Sequence, residues 1–576
     1  MTGFVCNPQE YELQEGEHGY TITRYKGIVV PDSYGGQPIV SIGAAAFKGE
    51  QSLINVTLPA TITELGSEAF AGCAHLRQLT LPASLKTVGP SALAGCSALE
   101  EIVLPEGLQA IEAYTFKGCA SLTEVVIPAS VRRIGAGAFA GCTSLRRVVV
   151  PASVSVIDEE CWAECSELME VVLPASIMRI GDWAFRGCAK LQNLSIPAQT
   201  SFIGRGAFEG CSALRDIVIP ERVSLLSDDL FRNCLGLTRI ALPKTLSAIG
   251  EGVFRGCTSL AGIDLPSSLL SIGTKAFRGC RALGEISLPS GVLDIGYAAF
   301  RDCSSLRSIN LPLHISTIND GVFQGCSALR RMHIPSDVTA IGANAFWGCA
   351  QLREINLPAG LVSLGSCAFF DCSALQSVSM PASIEAIGAG AFRGCSSLRS
   401  VKLPEHLTAI AGRTFARCTS LTSIELPEAV KTIGEDAFSR CSALQSAVLP
   451  QGLTALGKRA FWACSALQRI DIPESVSDIE EDAFDECVGL IEANIAARIT
   501  LLKDCVFRGC SSLRRVVLPE TLEIIGEGAF SGCGVLEAVV FPKGLKRIEE
   551  GAFSDCTSLD KAGIPAGVQV SSSAFA

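Results

Sequence analysis

Charge is scarce in this sequence: Asp, Glu, Lys and Arg make up 18% of its 576 residues, against 48% apolar. So apolar a chain is not disordered, because disorder needs low hydrophobicity and high net charge. A basic excess is lacking too. The formal net charge is −11, which favours solubility and leaves no clustered Lys and Arg of the kind a nucleic-acid partner demands. Long apolar runs are missing, and none approaches the roughly eighteen residues of a membrane span. Met1 to Tyr20 is polar and acidic, with neither the positive nor the apolar region of a secretory signal. These absences predict no nucleic-acid partner, no membrane insertion and a cytoplasmic location. The alternative is a cell-surface protein that reaches the outside by a route these residues do not show.

Constellations that carry chemistry are also absent. The five histidines, His18, His75, His314, His333 and His406, stand beside no partner motif. Zinc needs closely spaced ligands such as Cys-x-x-Cys with His nearby, and only Cys161-Trp-Ala-Glu-Cys165 and Cys505-Val-Phe-Arg-Gly-Cys510 come near that. Glu100-Glu101 and Glu549-Glu550 occupy variable positions and read as solvated pairs. The expectation is a protein with no catalytic residue, no metal and no cofactor.

What the sequence has in abundance is periodicity. Cysteine recurs every 23 residues from Cys73 to Cys556, a series that holds 22 of the 26 cysteines. Phenylalanine runs three residues ahead, from Phe47 to Phe553, with Leu93 and Trp162 as substitutes. Proline recurs from Pro59 to Pro565 and misses one beat, at Ala496. One clean unit reads Ser121-Leu-Thr-Glu-Val-Val-Ile-Pro128, then Ala-Ser-Val-Arg-Arg-Ile-Gly135, then Ala-Gly-Ala-Phe139-Ala-Gly-Cys142. Its opening alternation suits a short strand with one face buried, which the proline ends because it has no donor. Val131 and Ile134 carry the chain back across the core. Gly135 allows either a positive φ or a close backbone approach. Ala-Phe-x-Gly-Cys is too short for a full helix and predicts a single helical or 3₁₀ turn, with Phe and Cys pointing inward. A unit this small cannot bury enough apolar surface alone, so the units must stack into a β-rich repeat solenoid. Stacking brings cysteines within disulfide reach. A uniform ladder gives each thiol two equivalent neighbours, however, so they are expected as reduced, small buried hydrophobes, as suits a cytosolic setting.

This pattern resembles the BspA-type leucine-rich repeats: Leu-x-x-Ile-x-Ile-Pro, then x-x-Val-x-x-Ile-Gly-x-x-Ala-Phe-x-x-Cys, followed from about Tyr20 to the end. The entrance is similar as well, with Gly36-Gln-Pro-Ile-Val-Ser-Ile-Gly43 leading into the first Ala-Phe. The resemblance implies a right-handed leucine-rich-repeat superhelix with a curved parallel sheet. It also implies roles in adhesion or protein binding. Residues 1–40 are expected to form an N-terminal cap and half-repeat, 41–563 an array of about 23 repeats, and 564–576 a truncated terminal repeat. After Pro565 the chain runs one residue short of register. That leaves three options: a tail folded over the end, self-association through an uncapped C-terminal edge, or a fragment. One unit departs from the rest, with Ala493 thinning the core, Ala496 for Pro and Lys503 for Gly.

Function must therefore use the variable positions of the exposed strand face. The position starting at Thr57 is apolar early, at Val103, Val126, Val149 and Val172, and late, at Val517 and Val540. It turns polar between them, through Asn310, His333 and Asn356. In that middle, Arg307, Arg330 and Arg353 fall on consecutive units with Arg331 beside them. Stacked like charges are unfavourable unless compensated, by Glu285 and Glu354 or by an anionic ligand. The reading is a non-enzymatic protein-interaction scaffold, the alternative a cell-surface or secreted adhesin. The candidate partner site is Arg307, Asn310, Arg330, Arg331, His333, Arg353 and Asn356. The early valines form a second candidate, an apolar strip for a protein or another copy of the chain.

Overall fold

Each Leu-x-x-Ile-x-Leu stretch becomes a three-residue strand whose middle side chain is buried and whose outer two are exposed, as in Asn55–Thr57 and Glu124–Val126. The computed structural model describes residues 11–16, 18–25 and 30–576. They form two compact units, Met1–Asp294 and Ile295–Ala576, both built from the same coil. In the first unit, strands from Asn55–Thr57 to Glu170–Val172 make a six-stranded parallel sheet. Its register keeps the 23-residue period: Asn55 lies beside Gln78, Glu101 beside Glu124, and Arg147 beside Glu170. The second unit holds a matching six-stranded sheet from Ser423–Glu425 to Ala538–Val540.

The apolar pair expected only to cross the core builds a second parallel ladder. Two-residue strands such as Arg133–Ile134 pair with the preceding coil, Ala110 beside Arg133 and Ile111 beside Ile134, and bury their second residue. The one expected sheet is therefore two. Gly66, Gly89 and Gly135 end this side without entering the left-handed region. A Cβ there would lie 2.6, 2.6 and 2.7 Å from a backbone nitrogen of the preceding coil. Of the two reasons for glycine, close approach is the operative one.

The third side is built from single turns closed by bonds such as Cys73 N to Phe70 O at 3.2 Å. No helix forms in the Ala-Phe-x-Gly-Cys segments among the described residues, and the single 3₁₀ turn, Lys561–Gly563, lies elsewhere. Two residues per coil are left-handed instead, such as Ala45 (φ 54°) and Gly49 (φ 75°), or Trp183 (φ 52°) and Gly187 (φ 72°). Left-handed residues interrupt a right-handed turn and aim alternate N–H groups at the next coil. Ala45 N donates to Ser67 O at 2.8 Å, Phe47 N to Ala69 O at 2.8 Å and Gly49 N to Ala71 O at 2.7 Å. The same triple recurs at Tyr114, Phe116 and Gly118.

The core between the three sides holds the aromatic spine. Phe415, Phe438 and Phe461 are fully buried and stack with ring centroids 5.6 and 5.1 Å apart. Trp162 joins the stack between Phe139 and Phe185. The cysteines do more than fill space. The ladder thiols donate back to the spine residue's carbonyl of the preceding coil, Cys96 Sγ to Phe70 O at 3.2 Å, Cys211 Sγ to Phe185 O at 3.2 Å and Cys188 Sγ to Trp162 O at 3.1 Å. Every described cysteine is unbridged, and only Cys367 and Cys505 are less than fully buried. Burial pushes most ladder thiols up, Cys119 and Cys441 to about 12, while Cys556 at the end of the ladder is lowered by its hydrogen bond with Cys533; a protonated thiol is a poor nucleophile. Iodoacetamide at neutral pH is therefore expected to modify Cys367 and Cys505 and to spare the ladder thiols that burial keeps protonated. Peptide mass spectrometry reads this directly, and carboxymethylated Cys211 or Cys234 would contradict the buried ladder.

At the N-terminal side, the hairpin Tyr11–Gly16 and Gly19–Tyr25 pairs onto Gln37–Ile42, the first rung of the second ladder. The remainder of the expected cap, residues 1–10, 17 and 26–29, lies outside the described residues. The tail forms a further coil: Gln569–Val570 pairs with Arg547–Ile548, and Phe575 stacks on Phe553 at 5.4 Å. The departing unit gains pairing that other coils lack. Without proline, Ala496 N bonds Ile472 O at 2.9 Å, and the strands lengthen to Arg469–Ile472 and Glu492–Ile495. Lys503 Nζ reaches Asp478 and Glu480 at 2.7 Å each.

Candidate binding face

The alternation that buries Met332 and Ile355 turns their neighbours outward. Arg307, Asn310, Arg330, Arg331, His333, Arg353 and Asn356 are all exposed on one strand face of the unit Ile295–Ala576. Their backbones are linked row to row, Arg330 N to Arg307 O at 3.4 Å and Arg353 N to Arg330 O at 3.2 Å. In register, Arg331 lies beside Glu354 and His333 beside Asn356. The structure thus brings the sequence-predicted group together as one patch.

The arginines of this unit divide into paired and unpaired ones, and the column belongs with the unpaired, as do Arg393, Arg399, Arg417 and Arg440 among the described residues. Among the described residues Arg307, Arg330, Arg331 and Arg353 form no ion pair. Arg413, Arg469, Arg508 and Arg514 each hold a carboxylate, at 2.9, 2.9, 2.5 and 3.3 Å. Glu354, one of the two acids expected to compensate the column, forms no ion pair with Arg331 despite sharing its register. The nearby acid Asp337 is engaged by His314 at 3.1 Å, and that hydrogen bond holds its carboxyl below the usual range.

The basic strip runs further than the sequence reading took it. Gln376 N bonds Arg353 O at 3.2 Å and Arg399 N bonds Gln376 O at 2.9 Å, so the column continues through both residues. Lys402 lies beside Ser379 in the outer position. Between these rows is an open depression of about 460 Å³ lined by Glu354, Asn356, Ser377, Ser379 and Pro381. The 23-residue spacing was the signal that would have added Gln376 and Arg399. No group of three or more His, Cys, Asp or Glu able to hold a metal ion occurs among the described residues. No helix among them is long and apolar enough to cross a membrane.

The valine strip sits on the six-stranded sheet of the unit Met1–Asp294. Val103, Val126, Val149 and Val172 are 80, 68, 43 and 40% exposed, and adjacent pairs share register. Val218, 66% exposed in the same column, extends it beyond Ser195.

The family that the repeats match agrees with this architecture. No curated protein matches the chain. Solved structures that are similar include a leucine-rich repeat protein from Bacteroides ovatus, 26% identical over 72% of this chain and 95% of that one, with a TM-score of 0.49. A leucine rich cell surface protein from Faecalibacterium prausnitzii is 27% identical over 65% and 94%, with a TM-score of 0.38. The T. pallidum leucine rich repeat protein is 27% identical over 44% and 90%, with a TM-score of 0.21. The family described as BspA type leucine rich repeat region matches residues 26–146, 132–261, 248–376, 362–491 and 478–576. With parallel ladders, aromatic spine and cysteine ladder repeating at the same period, the chain belongs to the BspA-type leucine-rich repeat family, a class of repeat scaffolds that generally bind other proteins.

Proposed function

We propose that this protein is a non-enzymatic scaffold that takes an acidic protein segment along the strand face of its second unit. One observation carries the reading: four exposed arginines, Arg307, Arg330, Arg331 and Arg353, adjacent in register and without an ion pair among the described residues, in a chain of net charge −11. Like charges stacked about 5 Å apart raise each other's energy, and an anionic partner relieves that. Arginine suits the task because its planar fork binds carboxylates in pairs. Asn310, Asn356, Ser377 and Ser379 supply neutral hydrogen-bonding groups alongside.

The test is fluorescence anisotropy with a labelled, extended Glu/Asp-rich peptide at low salt. Arg330→Glu with Arg331→Glu is expected to weaken binding at least about tenfold and to leave the melting curve unchanged, since both side chains are exposed. Binding should also fall as salt rises. A wild-type protein that ignores the peptide, or a double variant that binds it equally well, overturns the proposal. The adhesin alternative uses the same face in another setting. Protease shaving of intact cells distinguishes them: digestion means display at the surface, protection means an internal scaffold.

A further inference from the structure

The valine strip of the first unit is bordered by charges in an unusual order. Take Val126 as the centre row, with exposed Thr123 and Glu124 beside it. One row before it stand Glu100, Glu101 and Val103; one row after it stand Arg146, Arg147 and Val149. Two rows before are Arg77, Gln78 and Thr80; two rows after are Met169, Glu170 and Val172. Two acids on one side thus answer two bases on the other. One row further out, Arg77 and Glu170 stand at adjacent rather than equivalent positions along the strand. The charges of the two rows flanking Val126 are antisymmetric about it, while the apolar column runs from Val103 to Val172.

We infer that this sheet face is the contact between two copies of the chain, related by a two-fold axis that lies parallel to the strands and passes over Val126. Such a rotation reverses the order of the rows and keeps each position along the strand. Glu100 and Glu101 then face the second copy's Arg146 and Arg147, and Val103 faces its Val149. Arg77 faces Met169 and Gln78 faces Glu170, while Thr80 meets Val172. An isologous contact requires each patch to be complementary to itself under the rotation; an unrelated partner imposes no such antisymmetry. An axis along the stack would instead keep each row opposite itself, setting the Glu100–Glu101 row against acids and the Arg146–Arg147 row against bases.

Two features of the isolated sheet agree. Glu101 and Glu124 share register as aligned like charges, an unfavourable arrangement, and neither forms an ion pair among the described residues. Arg147 bonds Glu170 at 3.0 Å, whereas Arg146 has no carboxylate partner among the described residues. Val103 is the most exposed large apolar residue among the described residues, at 80%. Two sheets packed face to face lie about 10 Å apart, close enough for the valine columns to interdigitate. The one unfavourable contact, Glu124 over the second copy's Glu124, lies a single row from that copy's Arg147. The face is narrower than the roughly 20–30 residues per side of a standard interface, so the dimer is expected to be weak, with a Kd on the order of 10 μM.

Sedimentation velocity on the full chain from about 1 to about 200 μM, spanning that Kd, tests this. Wild type should shift from monomer to dimer across the range. Glu100→Arg with Glu101→Arg, and separately Arg146→Glu with Arg147→Glu, should each remain monomeric with unchanged circular dichroism. Mixed in equal amounts, the two double variants should form a heterodimer, and the chain carrying all four changes should dimerise again. Monomeric wild type throughout, a dimer indifferent to both double variants, or a mixture that stays monomeric overturns the inference.

Discussion

Raising the pH above about 9 should dismantle this protein. The fold buries a thiol in nearly every coil, and burial disfavours the thiolate. Desolvation lifts Cys119, Cys165, Cys441 and Cys487 from an ordinary value of 9.0 to about 12, and Cys73 to about 11. Cys142, Cys188, Cys234 and Cys418 are raised for the same first cause. Because the folded values are raised, the unfolded chain loses its thiol protons first. The stability these thiols support is fully present below the unfolded value near 9 and is lost as the pH climbs toward 12. Each thiol forfeits about 1.4 kcal/mol at pH 10. The nine thiols named act in the same direction, in a fold whose net stability is a small difference between large terms. Far-UV circular dichroism against pH should show a steep loss between roughly pH 9 and 10.5. Replacing Cys188, Cys211, Cys234 and Cys257 with Ala should flatten that slope for the affected coils in hydrogen exchange. A wild-type spectrum unchanged to pH 11 would exclude the thiols as the titrating load.

Removing one ring from the spine should be costly already at neutral pH. Phe438 is fully buried between Phe415 and Phe461. Phe438→Ala loses the transfer energy, leaves a cavity and breaks two stacked contacts, about 4–5 kcal/mol in all. Phe438→Leu, which reproduces what Leu93 does naturally, should cost only about 1–2 kcal/mol. Since each coil leans only on its neighbours, the alanine variant should lose hydrogen-exchange protection around residues 415–461 while distant coils keep theirs. Uniform loss along the unit would mean that the coils fold as one body and that the nearest-neighbour picture is wrong.

Much of the fold was legible because the period is strict. Alternation in Glu124-Val-Val gave the outward-inward-outward strand, and the coincident Phe and Cys series gave an inward spine. The second ladder was hidden because a two-residue strand such as Arg133–Ile134 contains no alternation to read. The third side was hidden because left-handed conformation at Ala45, Glu68 or Trp183 leaves no mark on residue type; only the later glycines hint at it. The thiol donors were missed because cysteine reads as an apolar filler until Phe70 O is found 3.2 Å away. The arginine column could be read from spacing alone. That it lacks partners could not, since Arg413 and Arg469 look no different in sequence yet each holds carboxylates. Likewise, the antisymmetry about Val126 becomes visible only when the rows are known to lie side by side.

The left-handed corners carry one more consequence. Parallel strands send hydrogen bonds both ways, so their dipoles largely cancel. On the third side every N–H of the triple points to the following coil, as at Ala45, Phe47 and Gly49 and again at Tyr114, Phe116 and Gly118. Three peptide dipoles per coil therefore align and add along the stack, as they do in a helix. The stack is electrically polar: any coil cut open there shows three donors on its leading face and three acceptors on its trailing face. Coils can join along this seam only head to tail, and a leading face left open would attract anions.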